Sequence, residues 1–347
     1  MQRIFMAHLL PQNTFNYLSI NLQKKMEITK ELEERLSLLN AKYEAIGQDL
    51  ISYLDGLLYS EVTTYWDYIQ LDTLLSLQKP KTSFPDEVVF IGYHQITELY
   101  FKLAIQELVC LGQQKDPDQH SFLMRVNRVN RYFEALIRSF SIMVEGMDQK
   151  EFLRFRMALL PASGFQSVQY RQIELYSTDL INLVTRDKRE SFSGTEPPST
   201  LFPFIYWKYG ATEQQTGKKT LTLTQFEDRY NEELLALSEH CKSINLWQIY
   251  KRLAPEEQKD IKVIDALKTN DLNVNVYWPL AHYKSAVRYL SKSDEDIAAT
   301  GGTNWQKYLP PKFQQRIFYP ELWTKDEKES WGKGWVEDQI REILKGV

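Results

Sequence analysis

Apolar residues recur every three or four positions along most of the chain, which is the period of a helix buried on one face. The first such run predicts one long amphipathic helix over residues 22–54. Its apolar positions are Ile28, Leu32, Leu36, Leu39, Tyr43, Ile46 and Leu50. Its opposite face is charged, so we expect this helix to lie on the surface or to pair with a partner helix.

Further helices follow from the same spacing and from residues that cap or stop helices. The predicted spans are Thr64–Leu77, Glu87–Leu111 with Asp86 as its cap, Ser121–Glu145, Leu223–Asn245, Pro255–Lys268 and Val276–Leu290. Almost no segment alternates with period two for long enough to predict a strand. We therefore predict an all-α fold.

The helices predict one large helical domain at residues 61–347, preceded by a helical extension of unassigned role at residues 1–60. A Ser/Gly/Pro-rich stretch interrupts the domain at residues 186–220. Its composition predicts an inserted loop of unassigned role, with a short aromatic segment at Leu201–Tyr209.

Composition and charge limit the kinds of molecule that we expect this protein to bind. The formal net charge of the 347 residues is −4, which gives no basic surface for nucleic acid. No window approaches eighteen uninterrupted apolar residues, so we expect no membrane contact. The two cysteines, Cys110 and Cys241, do not form a disulfide framework, which fits a cytoplasmic protein.

Two helix starts lie close together in the middle of the chain. Asp148 and Glu151 form a capping box that begins one helix, and Pro161 ends it. Ser163 and Gln166 form a second box, which predicts a helix that continues towards Leu183.

Arg156 falls at the end of the first of these helices, near the start of the next. A guanidinium beside free backbone N–H groups would bind a small anion such as a carboxylate. The local pattern by itself favours another interpretation, in which Arg156 caps its own helix and meets Glu174 on the surface.

His94 lies in an apolar helix with Phe90 and Glu98 one turn away on either side and Phe101 two turns on. Such a ring is either a core histidine bonded to the backbone or to Glu98, which the local pattern favours, or an active-site histidine against an aromatic ligand.

His282 follows Trp278 by one helical turn, with the small residues Ala281, Ser285 and Ala286 around it. Small neighbours leave room for a planar macrocycle, and a single imidazole is the proximal haem ligand in globins and peroxidases. Spacing alone would make it a surface histidine.

Four blocks in this order and rough spacing resemble the tryptophan 2,3-dioxygenase family. They are the segments Phe90–Lys102, Phe152–Arg171, Trp278–His282 and Thr300–Gly302. Pro161–Ser167 within the second block is the most specific part. The resemblance covers residues 62–182 well and 276–323 in part.

The resemblance implies roles for the matching residues. His282 is implied to be the axial ligand of a haem iron. His94 is implied to be the catalytic residue that meets the substrate indole, with Phe90 beside it. Arg156 is implied to bind the substrate carboxylate and Thr300 the amino-acid head group, with pocket walls from Phe152 and Ser163.

The family resemblance also implies an activity and an assembly. A ferrous haem enzyme would insert both atoms of O2 across the C2–C3 bond of L-tryptophan to give N-formylkynurenine. Tyr65 and Tyr68 match aromatic residues that reach the neighbouring active site in a homotetramer. A haem-dependent hydroxylase of another aromatic amino acid and a non-catalytic haem or amino-acid binding protein are the alternatives.

The chain departs from the family pattern near the substrate head group. Residues 283–299 form a longer connection than the family pattern predicts, and Trp305 stands where a smaller residue is expected. Both changes bear on the shape of the predicted pocket.

Overall fold

A computed structural model describes residues 28–60, 63–213, 216–290, 311 and 315–332. Over these ranges the chain is helical, and its β-structure is confined to isolated bridges at Val184–Ile205 and Thr212–Lys219. The all-α prediction is confirmed. The described residues form two compact units that divide between Leu75 and Ser76.

The first unit contains α1 (Lys30–Glu44) and α2 (Leu50–Tyr59) where one long helix was predicted. That prediction was wrong for a local reason. Gly47 takes a φ of 67°, which ends the first helix, and the Asp49 carboxylate caps the second by accepting from Ser52 N at 2.9 Å. Residues 22–27 of the predicted span lie outside the described residues.

The helix predicted from Thr64 is also divided. Thr64 caps α3 (Tyr65–Tyr68), and α4 (Leu71–Leu75) follows after Gln70, whose φ is 53°. Because a left-handed residue cannot continue a right-handed helix, the chain turns there.

The second unit is built around long helices with well-defined bounds. They are α5 (Asp86–Gly112), α6 (Gln119–Ser139), α9 (Val168–Ser177), α13 (Leu221–Cys241), α16 (Ile261–Leu272) and α17 (Trp278–Leu290). A π-helical turn, Asn273–Tyr277, joins α16 to α17. None of the described helices is both long and apolar enough to span a bilayer.

Shorter elements connect them. They are α7 (Ser141–Val144), α8 (Gln149–Phe155), α10 (Arg186–Arg189), α11 (Pro198–Leu201), α12 (Tyr206–Gly210), α14 (Leu246–Arg252), α15 (Pro255–Gln258) and α18 (Lys325–Glu329). Short 3-10 turns lie at Arg156–Leu159, Gly164–Gln166, Leu180–Leu183, Phe202–Phe204 and Pro320–Leu322. The predicted loop at 186–220 therefore contains three short helices.

The starts of α6 and α5 differ slightly from the predicted ones, and side-chain hydrogen bonds lie at both. α6 begins at Gln119 because Asp118 accepts from Ser121 N at 2.7 Å. α5 begins after Pro85, and the carboxylate of Asp86, predicted as its cap, instead accepts from Asp148 N at 2.5 Å. This bond ties the start of α5 to the start of α8.

The core of the second unit is aromatic. The ring of Phe101 on α5 lies 5.9 Å from Phe133 on α6, 5.5 Å from Tyr170 on α9 and 5.9 Å from Trp278 on α17, measured between centroids. The buried ring of Phe101 therefore contacts three neighbouring helices. Its contact with Trp278 helps to pack α5 and α17 in the same core.

Candidate active site

α5 presents His94 one turn after Phe90. The imidazole Nδ1 lies 2.7 Å from the Phe90 carbonyl oxygen, and the two rings are 4.1 Å apart between centroids. A carbonyl oxygen can only accept, so Nδ1 carries the proton and Nε2 keeps its lone pair. Burial lowers the pKa of His94, so the ring is neutral near pH 7.

His282 repeats this arrangement on α17. Its Nδ1 lies 3.0 Å from the Trp278 carbonyl oxygen, which again leaves Nε2 as the acceptor nitrogen. The pKa of His282 is lowered to about 4, chiefly by burial and also by the nearby His94, against the opposing effect of the Trp278 bond. A neutral imidazole with one nitrogen anchored is the form that binds a metal.

Aromatic rings lie beside both histidines. Phe152 on α8 lies 6.2 Å from Phe90 and 4.6 Å from Tyr289 on α17, between ring centroids. The ring of His282 lies 4.5 Å from that of Phe140 and 4.4 Å from that of Trp278, between centroids. The surroundings of both imidazoles are therefore apolar and suited to flat ligands.

Arg156 lies one turn beyond Phe152, as the C-cap of α8 and the first residue of the 3-10 turn that follows. It is 5% exposed, and burial lowers its pKa. The interpretation in which it meets Glu174 on the surface was wrong. Glu174 is fully buried and pairs with Arg171 and Arg316.

Ser163 forms the predicted capping box with Gln166. Its hydroxyl accepts from Phe165 N at 3.3 Å, and Gln166 Oε1 accepts from Ser163 N at 3.3 Å. The box begins a single 3-10 turn, because Ser167 then caps α9 separately and α9 ends at Ser177, short of Leu183. Ser163 is half-buried.

The site roles of three further residues stay predictions. Thr300 lies outside the described residues, as do Trp305 and residues 291–299 of the long connection. Tyr65 and Tyr68 belong to the first unit, where they are 70% and 79% exposed.

Two surface cavities lie away from His94 and Arg156. One of about 290 Å³ is lined by Asp179, Glu196 and Lys242, among others. The other, of about 420 Å³, borders Phe140 and Lys284. Within the described ranges, no group of three or more His, Cys, Asp or Glu side chains could hold a bare metal ion.

Two residues at the site were missed by sequence reasoning. Tyr289 could have been found, because it follows His282 by seven positions and so shares its helix face. Phe140 could not, because it lies at the break between α6 and α7, which no pattern in the sequence predicted.

The family model for tryptophan 2,3-dioxygenase matches residues 56–196, which include Phe90, His94, Phe152 and Arg156. A protein of Ruegeria sp. (strain TM1040) named tryptophan 2,3-dioxygenase is 39% identical over 288 residues, covering 77% of this chain and 92% of its own length. The chain belongs to the tryptophan 2,3-dioxygenase family.

Two further relatives are also named tryptophan 2,3-dioxygenase, and they match different lengths of this chain. One from Bacillus thuringiensis subsp. konkukian (strain 97-27) is 30% identical over 278 residues, again 77% of this chain and 92% of its own. One from Sorangium cellulosum (strain So ce56) is 43% identical over 122 residues, 32% of this chain and 29% of its own. The resemblance found in the sequence blocks is confirmed.

Proposed function

We propose that this chain is a haem-dependent dioxygenase that inserts both atoms of O2 across the indole C2–C3 bond of L-tryptophan, giving N-formylkynurenine. The observation that carries the proposal is the pair of neutral histidines. Each has Nδ1 anchored to its own helix, which leaves Nε2 as the acceptor nitrogen, and aromatic rings pack beside both.

The residues around His282 fit a haem. The Nδ1–H bond to the Trp278 carbonyl orients the ring and makes Nε2 the nitrogen that would bind iron. Ala281 and Ala286 are short side chains beside it, so a flat macrocycle can approach the helix. When bound, ferrous haem supplies the site that binds and activates O2.

His94 would hold the indole. Its Nε2 has a lone pair and no proton, so it can accept a hydrogen bond from an indole N–H. Phe90 and Phe152 offer ring faces for the indole to pack on. In this role His94 fixes the orientation of the ring that reacts, and exclusion of water by the two phenylalanines strengthens that hydrogen bond.

Arg156 would bind the substrate carboxylate. A guanidinium that has already been removed from water gains most from an anion that pairs with it in two hydrogen bonds. Ligands without a carboxylate could not form this ion pair, which is the basis for selectivity towards an amino acid. We place Ser163 at the wall of the pocket and Thr300 at the head group.

We further propose that the active protein is a homotetramer in the cytoplasm. One face of α5 supports an assembly, because four large apolar side chains on it are exposed by nearly half. These are Val88 (45%), Ile96 (46%), Leu99 (49%) and Leu103 (47%). A second copy of the chain would bury them. The exposed Tyr65 and Tyr68 are the residues we propose to reach a neighbouring active site.

The test is to load the purified protein with haem, reduce it, add L-tryptophan in air and weigh the product. A gain of two oxygen atoms is the expected result. A gain of one would indicate the hydroxylase instead, and bound haem with no turnover of any aromatic amino acid would indicate a binding protein.

A further inference from the structure

The direction in which His282 points depends on the π-helical turn before α17. A π turn holds one residue more per turn than an α-helix does. If Asn273–Tyr277 relaxed into α-helical register, everything after it would rotate by about 100° and shift by about 1.5 Å. His282, in the second turn of α17, would then face another part of the core.

Buried amide side chains fix this turn to its surroundings. Asn275 Nδ2 donates to Asp271 Oδ1 at 2.8 Å, and Asn273 Nδ2 donates to the carbonyl oxygen of Asn130 on α6 at 3.5 Å. Asn270 Nδ2 donates to the side-chain oxygen of Asn130 at 3.1 Å. All five residues are buried. Since unmade hydrogen bonds are costly there, the polar contacts favour one register.

Asp271 is the centre of these contacts. The fully buried carboxylate receives a second hydrogen bond at Oδ1 from Phe318 N at 3.0 Å. At Oδ2 it accepts from Tyr319 N at 3.3 Å and from Trp323 Nε1 at 3.0 Å. With four donors around two oxygens, it joins the π turn to the segment 317–323.

We propose that Asp271 is a positioning residue for His282, because it keeps the π turn in the register that directs the imidazole into the site. The inference rests on the proposed function, since it needs His282 as the haem ligand. Asp271 itself lies three turns away from His282 along the helix and touches neither substrate nor haem.

Asp271→Asn tests this in the haem-loaded protein. An amide has one acceptor oxygen, so its NH2 group must face two donors on one side. We expect haem to pass to an acceptor apoglobin about 10- to 100-fold faster than from the unaltered protein. The iron–histidine stretching band of the ferrous form should also shift or broaden.

Two further variants distinguish a change in the register of the π turn from a general loss of packing around the segment 317–323. Asn275→Ala breaks the same link from the side of the π turn and should reproduce both effects. Asn182→Ala is the matched control, because Asn182 Nδ2 bonds the Phe318 carbonyl oxygen at 3.3 Å and so holds the same segment without touching the π turn. It should leave the iron–histidine band unchanged.

The results can contradict the two proposals separately. If the unaltered protein takes up no haem, the proposed function fails, and this inference fails with it. If the unaltered protein binds haem and Asp271→Asn keeps its band and its rate of haem loss, the positioning role alone is overturned. The same conclusion follows if all three variants behave alike.

Discussion

Each site histidine donates a hydrogen bond to the carbonyl four residues back in its own helix, Phe90 for His94 and Trp278 for His282. The sequence predicted a backbone or Glu98 bond for a core His94, and the backbone bond is found. It does not make His94 merely structural, because the second nitrogen remains available. The hydrogen bond to the carbonyl four residues earlier therefore fixes the tautomer of each histidine. The function of each histidine depends on the group that faces its Nε2.

His282→Ala should abolish stable haem binding, because it removes the nitrogen that we propose binds the iron. The measurement is the visible absorption spectrum after loading with haem. His94→Ala is the matched control and should keep the haem band, since its imidazole is assigned to the substrate. A normal haem spectrum in the His282 variant would contradict the ligand assignment.

Arg156→Ala should weaken tryptophan binding by about 2–5 kcal/mol, because the lost partner leaves a substrate carboxylate buried without a counter-charge. The Michaelis constant for L-tryptophan measures it. Arg154 lies on the same helix, is exposed and packs over Phe84, so Arg154→Ala is the control. An unchanged constant in the Arg156 variant would exclude the proposed ion pair.

At the scale of elements, the long apolar helices were predicted well and their ends less well. α5 was predicted as Glu87–Leu111 and spans Asp86–Gly112. The span predicted at 22–54 failed at Gly47, and the one predicted at Pro255–Lys268 is two helices that meet before Ile261. Apolar residues continue at helical spacing across both breaks, so the spacing alone could not reveal them.

The first turn of α5 depends on a buried carboxylate. Glu87 accepts from Lys81 N at 2.8 Å and Thr82 N at 2.7 Å. Burial would raise the pKa of Glu87, but these bonds and that from the Thr82 hydroxyl lower it below its ordinary 4.5. A group with a lowered folded-state pKa stabilises the fold above pH 4.5, and this contribution is lost as the pH falls through the folded-state value.

Glu87→Gln should therefore lower the free energy of unfolding by about 1.5–3 kcal/mol at pH 7. Urea unfolding from pH 7 down to below pH 4 measures it. The difference between the two proteins should shrink on acidification, since the unaltered carboxylate becomes protonated. A difference that stays constant with pH would show that its charge is not what matters.

At the scale of the whole molecule, the exposed face of α5 predicts association. Leu99→Glu would place a charge in the interface we propose, so it should shift the protein towards smaller assemblies in a solution mass measurement. Arg131→Glu on the exposed side of α6 is the control and should leave the mass unchanged. Identical masses for all three proteins would remove α5 from the interface.

The family and the all-α class followed from the sequence and are confirmed, whereas the roles of the site residues, the haem and the tetramer stay predictions. Of the two predicted capping boxes, the one formed by Ser163 and Gln166 is found. At the other, the Asp148 carboxylate caps α8, but Glu151 accepts from Asp86 N and Asp148 N donates to Asp86, so the reciprocal half of the box is not formed. The predicted domain boundary after residue 60 stays a prediction. The two compact units of the structure divide between Leu75 and Ser76.

Only the tertiary structure decided which charges are buried and which helix faces meet. Arg156 looked like a surface residue and is buried, while Glu174 pairs with Arg316, far away along the chain. Phe152 joins α5 to α17, and Asp271 fixes the turn that aims His282. Periodicity and caps are local properties of a sequence, but burial and pairing depend on contacts between distant segments, which no local pattern encodes.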